Sequence, residues 1–275
     1  MSKNKNPAEA ENPVDLSLGQ ESQIQASSIK REKGESMKKV HFILQGKGGI
    51  GKSFVSALIA QYIQQEDPDV LCLDTDPVNA TFSSFPGLKV KSLELMEDNA
   101  IDERRFDDMM EEIFNAESNV VIDNGAASFT PLSSYLLDNE AFAAIQEAGK
   151  EVVIHSVIAG GLAQDNTVSD FVNLTSQLPE GIQVVVWLNE HFGPIEANGK
   201  TFEEMKAYLE NKERVSAIIR LPKRTENTYG KDLAAMLKKR YTFQEALVSD
   251  AFRVMSKQRL KIMQRSIYEQ LELAI

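Results

Sequence analysis

The sequence predicts an α/β protein, with a doubly wound, mostly parallel sheet followed by a helical C-terminal third. From residue 37 onward, short apolar runs rich in β-branched residues alternate with helical patterns, which is typical of strands buried on both faces of a parallel sheet. Hydrophobic residues make up 42% of the 275 residues, enough to fill a sizeable core. From about Lys231 to Ile275 the pattern is helical alone.

Predicted strands and predicted helices alternate along the chain. The predicted strands are Val40–Gln45, Val70–Asp74, Val120–Asp123, Val152–Val157, Val184–Asn189 and Val215–Leu221. The predicted helices are Lys52–Gln65, Arg104–Ala116, Asp165–Gln177 and Phe202–Asn211. Ligands of a doubly wound sheet bind outside the carboxyl ends of its strands, so the residues that follow each strand are the candidates for function.

Residues 1–36 differ in composition from the rest of the chain. They contain no aromatic residue and too few large apolar residues to bury much surface, so we expect a disordered N-terminal extension before one domain at 37–275. The extension is interpreted either as a partner-binding arm or as a tolerated addition. Since Met37 directly precedes the first predicted strand, a further hypothesis is that translation begins there.

Composition excludes several classes of protein. No run of about 18 apolar residues occurs, so no transmembrane helix is expected, and no apolar stretch follows the N-terminal lysines as in a secretory signal. The single cysteine, Cys72, excludes an internal disulfide. The three histidines are too scattered along the sequence to suggest a zinc cluster. We therefore expect a cytoplasmic globular protein.

The strongest motif is a phosphate-binding loop at residues 46–53, GKGGIGKS, which matches G-x-x-x-x-G-K-[ST]. A predicted strand precedes it and an amphipathic helix follows, which is the context that such a loop requires. Its backbone N–H groups would converge on phosphate oxygens at the start of the helix. Lys52 is expected to reach the β- and γ-phosphates, and the Ser53 hydroxyl to bind Mg²⁺. The glycines expected to line the nucleotide are Gly46, Gly48, Gly49 and Gly51.

Acidic residues follow two further predicted strands. Asp74 and Asp76 come at the end of one, and Asp123 at the end of another, where it is expected to hold a Mg²⁺-bound water. A carboxylate at such a position can instead cap the following turn. Taken with the phosphate loop, the two acidic strand ends predict a site for a nucleotide with Mg²⁺.

The loop GKGGIGKS, with a second lysine directly after its first glycine, resembles the deviant Walker A motif of the ParA/MinD family of ATPases. The resemblance spans residues 37–275 and implies an ATP-dependent homodimer that holds nucleotide between its subunits. By this resemblance Lys47 would reach the phosphates of the partner subunit, while Lys52 serves the nucleotide of its own subunit. Asp76 matches the switch I aspartate that helps to place the attacking water.

Other residues acquire roles from the same resemblance. Asp123 and Gly125 match the Walker B and switch II positions, whereas Asn189 and Pro222 match positions beside the adenine. The sequence departs from the family after Asp76, because Val78-Asn79-Ala80 stands where partition ATPases commonly have Gln-Gly-Asn. This departure makes the rate of hydrolysis less predictable than nucleotide binding. With one cysteine, the chain also lacks the thiolates of the iron–sulfur members of the superfamily.

A narrower resemblance is to ATPases of conjugal transfer in IncP-type plasmids. It rests on the strings LQGKGGIGKS, DTDPVNATF, VVIDNGAASF, VVWLNEHFGPIE and RVSAIIRLP. It implies a slow, partner-stimulated ATPase that acts as an accessory in plasmid conjugation, with a protein of that machinery as its partner. Two alternatives remain: a partition ATPase that binds non-specific DNA, and a nucleotide-binding scaffold without turnover.

The net charge of −11 conceals two segments of opposite sign. Between Glu94 and Glu117 ten acidic residues stand against two arginines, and between Arg214 and Arg265 thirteen basic residues stand against four acidic ones. The resemblance makes non-specific DNA a candidate partner of the basic segment. The alternative is a solvated helix face, with packing onto the sheet favoured over a membrane-targeting helix. The residues predicted to pack inward are Leu260, Met263, Ile267 and Leu271.

Overall fold

A computed structural model describes residues 37–76, 79, 81–98 and 100–275 of the chain. The predicted N-terminal extension at 1–36 lies outside the described residues, and so do Val78 and Ala80 of the loop that departs from the family pattern.

Seven parallel strands form the central sheet, in the order β7-β6-β5-β1-β4-β2-β3. The strands are β1 Lys39–Ile43, β2 Leu71–Asp74, β3 Lys91–Ser92, β4 Val120–Asp123, β5 Glu151–Ala159, β6 Gln183–Asn189 and β7 Val215–Leu221. The predicted parallel α/β fold is thus confirmed, and its six predicted strands are present with small shifts at their ends. Strand β3 was not predicted, because its two residues are both exposed and form no apolar run of the kind that indicates a buried strand.

Helices connect these strands and form the C-terminal third. They are α1 Lys52–Ile63, α2 Arg105–Asn115, α3 Phe129–Asp138, α4 Ala141–Glu147, α5 Gln164–Gln177, α6 Lys206–Leu209, α7 Lys231–Lys238, α8 Phe243–Val248 and α9 Val254–Ala274. Two short antiparallel ribbons lie outside the main sheet: one pairs Met96–Glu97 with Ala100–Ile101, and the other pairs Glu196–Ala197 with Lys200–Thr201. The predicted helical C-terminal third is confirmed.

Two apolar layers cover the two faces of the sheet. Helices α1, α7, α8 and α9 supply the layer on one face, and helices α2 to α5 supply the layer on the other. The four residues of α9 that were predicted to pack inward are all buried in the first layer, at 8% exposure or less. Burying such apolar side chains contributes about 1.5–3 kcal/mol each, which accounts for α9 lying along the sheet.

The predicted helix Phe202–Asn211 is wrong in detail. The structure has a 3₁₀ turn at Phe202–Glu204 followed by the one-turn helix α6. Thr201 and Glu204 form a capping box that starts the turn, but Met205 is extended, with ψ of 147°, and interrupts it. The extended backbone of Met205 therefore splits the predicted helix into two short helical turns.

The outer edge of β7 is met by a side chain of α9. The amide of Gln270 accepts from the backbone N–H of Arg220 at 2.8 Å and donates to the carbonyl of Arg220 at 3.2 Å. This two-point contact mimics the pairing that another strand would supply.

Candidate functional site

The loop after β1 reaches the carboxyl edge of the sheet and turns into α1 through two glycines with positive φ. Gly49 has φ of 74° and Gly51 has φ of 98°, conformations that disfavour other residues. A Cβ at Gly51 would also lie 3.0 Å from the side-chain nitrogen of Asn189. The loop therefore has the conformation that directs backbone N–H groups at the start of a helix toward an anion.

Lys52 is the first residue of α1 and is 7% exposed. Its ammonium group donates to the carbonyl of Lys47 at 2.9 Å. Burial lowers the pKa of Lys52, while the carboxylates of Asp123, Asp76 and Asp170 oppose that shift. Lys52 is thus a buried cation facing acidic side chains from three elements, whereas the Lys47 side chain is exposed at the tip of the loop.

Asp123 ends β4 and is 1% exposed. Its Oδ1 accepts from the Ser56 hydroxyl at 2.8 Å, but its Oδ2 has no hydrogen-bond partner among the described residues. Burial raises the pKa of Asp123 to about 7, against the opposing effect of the nearby Ser53 hydroxyl. A buried carboxylate oxygen without a partner, next to a serine, fits the donor set that Mg²⁺ prefers.

Asp74, the last residue of β2, and Asp76, in the loop that follows, differ in burial and in hydrogen-bond partners. Asp74 is buried and accepts from the backbone N–H groups of Asp76 at 3.0 Å and Ser83 at 2.9 Å. It caps the turn, as one of the two sequence interpretations expected. Asp76 is half-buried, and its Oδ1 accepts from the N–H of Asn79 at 2.9 Å.

Gly125 lies directly against Asp76. A Cβ at Gly125 would be 2.6 Å from Cγ and 2.9 Å from Cα of Asp76, closer than real Cβ atoms approach any neighbour. A side chain at position 125 would therefore displace Asp76. The loops after β2 and β4, predicted separately to carry functional carboxylates, are in contact.

Asn189 and Pro222 follow neighbouring strands. Asn189 ends β6 and is 6% exposed, and its side chain donates to the carbonyl of Ile50 at 2.9 Å. Its Oδ1 accepts from the N–H of His191 at 3.2 Å. Pro222 is exposed and directly follows Leu221, the register partner of Asn189. The structure thus places both residues on the same edge of the sheet and ties Asn189 to the phosphate loop.

The sequence did not single out Asp170, which lies beside the phosphate loop. A Cβ at Gly46 would be 3.2 Å from the Asp170 carboxylate. Buried Gln45 holds that carboxylate through its side-chain nitrogen at 2.9 Å and accepts from the Ser156 hydroxyl, also at 2.9 Å. Because 125 residues separate Gln45 from Asp170, no local pattern could have indicated the contact.

Comparison with known families agrees with this geometry. The family model of the CobQ/CobB/MinD/ParA nucleotide binding domain matches residues 41–235. The chain belongs to this family. The resemblance inferred from the loop GKGGIGKS is therefore confirmed, and the fold is a nucleotide-binding one.

Within this family, two TraL proteins of Escherichia coli are each 51% identical to the chain, over 238 and 236 residues. Each alignment covers 86% of this chain, and they cover 99% and 98% of the relatives. The narrower resemblance is thus matched along nearly the whole length of these relatives.

Solved structures of the family are similar at lower identity. MinD of Aquifex aeolicus is 17% identical, with a TM-score of 0.47 over 82% of this chain and 95% of that one. MinD of Pyrococcus horikoshii, complexed with Mg-ADP, is 16% identical, with a TM-score of 0.48 over 84% and 96%. A putative plasmid partition protein of Borrelia burgdorferi, bound to AMPPNP, is 14% identical, with a TM-score of 0.48 over 87% and 100%.

Across the described ranges, none of the helices combines the length and the apolar character that a bilayer crossing requires.

Proposed function

We propose that this protein is an ATP-binding, slowly hydrolysing switch that dimerises with nucleotide and acts as an accessory in plasmid conjugal transfer. The observation that carries the nucleotide part is the burial of both the Lys52 ammonium group and the Asp123 carboxylate, whose Oδ2 has no hydrogen-bond partner among the described residues. Burying two such groups is costly unless a ligand uses them. Membership in a nucleotide-binding family supports the same conclusion.

The residues of the loop would bind and neutralise the phosphates. The N–H groups at Gly48, Gly49 and Gly51 would donate hydrogen bonds to phosphate oxygens, and the ammonium group of Lys52 would leave the Lys47 carbonyl for the β- and γ-phosphates. Ser53 and Asp123 would hold Mg²⁺, directly or through water. When bound, the cation neutralises charge that develops on the phosphates.

Other residues would complete the switch. Asp76 orients the attacking water, and Gly125 allows the close approach of the two loops. Lys47, exposed at the loop tip, reaches the nucleotide of a second subunit. Asn189 and Pro222 line the side where the base lies. Catalysis would then come from positioning and electrostatic stabilisation.

Turnover is tested by measuring phosphate release from ATP with Mg²⁺ and with EDTA. We expect slow release by the wild type with Mg²⁺ alone, and none by Lys52→Ala, because the phosphates lose their buried cation. Lys231→Ala removes an exposed lysine at the start of α7 and should behave as the wild type. Equal phosphate release by Lys52→Ala and wild type would refute hydrolysis at this site. Binding of ATP by the wild type without phosphate release would favour the alternative of a nucleotide-binding scaffold without turnover.

The role in conjugation is tested in donor cells. The 51% identity to TraL proteins supports this role, together with the resemblance to conjugal transfer ATPases. Donors that lack the gene should transfer the plasmid less often, and wild type but not Lys52→Ala should restore the frequency. Unchanged transfer in the deletion would contradict the proposal. A partner in the conjugation machinery, inside the donor cell, would stimulate turnover.

A partition ATPase that binds non-specific DNA is the second candidate. The observation in its favour is a set of exposed cations for which no ion pair is found among the described residues: Lys238, Lys239, Arg240, Arg253 and Lys261. Retention on random-sequence DNA that requires ATP and falls steeply with salt would favour this candidate. The variant K238E/K239E/R240E should then lose retention. Absence of retention at low salt leaves the protein-partner role.

A further inference from the structure

The loops after β2 and β4 are joined by a buried serine. Ser128, immediately before α3, is fully buried, and its hydroxyl donates to the carbonyl of Thr75 at 3.0 Å. In the other direction, the N–H and the hydroxyl of Thr75 both donate to the carbonyl of Asp123 at 2.9 Å. Thr75 is therefore hydrogen-bonded to residues of the β4–α3 connection through its carbonyl, its N–H and its hydroxyl.

These contacts fix the peptide plane that leads into Asp76. Its oxygen is the Thr75 carbonyl, which accepts from Ser128, and its N–H is that of Asp76, which donates to Asp74 at 3.0 Å. A peptide unit held at both its oxygen and its N–H cannot rotate about its flanking bonds without breaking a buried hydrogen bond. The Cα of Asp76 follows from that plane, and it lies against Gly125.

Asn124 completes the buried connection. Its Oδ1 lies 2.5 Å from the Ser128 hydroxyl, and its Nδ2 has no hydrogen-bond partner among the described residues. The same hydroxyl lies 3.3 Å from the carbonyl of Gly125, so its one proton is shared between the Asn124 side chain and the carbonyls of Thr75 and Gly125. The Ser128 hydroxyl therefore joins the backbone after β2 to the loop after β4.

We infer that Ser128 is a positioning residue that sets the place of Asp76 through Thr75 and makes the loops after β2 and β4 move as one unit. The inference rests on the proposed function, because Asp76 is catalytic only if ATP is hydrolysed. It concerns the hydrolytic step and not nucleotide binding, since Ser128 makes no contact with the phosphate loop in these hydrogen bonds. A binding partner that moves the β4–α3 connection would thereby move Asp76.

Two serines on the same segment allow a matched test. Ser128→Ala removes the hydroxyl that holds Thr75, whereas Ser133→Ala removes a buried hydroxyl of α3 that has no hydrogen-bond partner among the described residues. Ser128→Thr keeps the hydroxyl. We expect Ser128→Ala to lower kcat about five-fold or more, as the loss of one buried hydrogen bond implies, with the ATP dissociation constant unchanged. Ser133→Ala should match the wild type, and Ser128→Thr should restore most of the rate.

A second readout does not depend on turnover. Amide hydrogen exchange of nucleotide-free protein should be faster at Thr75 and Asp76 in Ser128→Ala, and unchanged in Ser133→Ala. Unchanged exchange and kcat in Ser128→Ala would overturn the inference while leaving the ATPase proposal in place. If the wild type releases no phosphate, the proposed function fails, and exchange alone decides whether Ser128 holds the loop. Should Ser128→Thr not fold because its methyl lacks room, the comparison of the two alanine variants decides.

Discussion

The indole N–H of Trp187 donates to Nδ1 of His155 at 3.0 Å, in the middle of the sheet. An indole can only donate, so Nδ1 of His155 carries no proton and the neutral ring carries it on Nε2. That nitrogen lies 3.0 Å from Nδ1 of His41, which must therefore accept. Three fully buried rings on β6, β5 and β1 thus form a directed chain in which each ring is neutral.

Acidification should destabilise the protein because of this chain. Burial lowers the pKa of His41 to about 3 and lowers that of His155 well below its usual value of 6.5. At these two histidines the unfolded chain takes up protons below pH 6.5 that the folded chain does not, so their contribution to stability is full above pH 6.5 and falls progressively toward pH 3. Protonation of the folded Asp123 carboxyl, whose pKa burial raises to about 7, offsets part of this loss. Each histidine costs up to about 1.4 kcal/mol per pH unit. Urea unfolding at pH 7.5, 6.5 and 5.5 measures this loss.

A variant identifies the histidines as the cause. His41→Asn removes one titrating ring, and its free energy of unfolding should fall less steeply between pH 6.5 and 5.5 than that of the wild type. An equal pH dependence in His41→Asn and wild type would contradict the assignment.

Asp123→Asn should stabilise the nucleotide-free protein. The change removes a buried negative charge whose Oδ2 has no hydrogen-bond partner among the described residues, and we expect a gain of about 1–3 kcal/mol in the free energy of unfolding in EDTA. The increase in melting temperature caused by Mg-ATP should disappear in the same variant. Asp138→Asn, at an exposed position on α3, is the control and should change neither quantity. A destabilised Asp123→Asn would show that the carboxylate is satisfied without a cation.

Gly125→Ala should lower turnover more than it lowers nucleotide affinity. Its Cβ would lie 2.6 Å from Cγ of Asp76, so the Asp76 loop must shift, and we expect a loss of about ten-fold or more in kcat. Gly230→Ala, whose Cβ would meet Glu226 at an ordinary 3.7 Å, should behave as the wild type. Steady-state kinetics on the two variants provide the comparison, and a normal kcat in Gly125→Ala would argue against a role for Asp76.

Lys47→Ala should separate nucleotide binding from dimerisation. Lys47 contributes its backbone carbonyl to Lys52, which the substitution preserves, while its exposed side chain is free to reach a second subunit. We expect ATP to bind with little change but no longer to shift the protein from monomer to dimer in sedimentation velocity. Dimer formation by Lys47→Ala to the wild-type extent would exclude this residue from the interface.

The sequence alone identified those residues of the candidate site that lie close together along the chain. Lys52 and Ser53 follow the loop glycines directly, and Asp123 ends a strand whose apolar run is unmistakable. The contacts of Asp170 with Gln45 and of Ser128 with Thr75 were not predicted, because each joins residues far apart whose proximity depends on strand order. His41 and His155 looked scattered for the same reason, although pairing of β1 with β5 makes them neighbours.

The contact of Gln270 with Arg220 has a consequence for handling the protein at high concentration. An open sheet ends in strands that can recruit strands from other molecules, which is a common origin of aggregation. At Arg220 both backbone groups of β7 are already engaged by the Gln270 amide, so an incoming strand would have to displace it. Helix α9 therefore covers the core and also blocks strand addition at the edge of β7. A chain shortened before residue 270 would lose this contact, and we expect it to self-associate through the exposed edge.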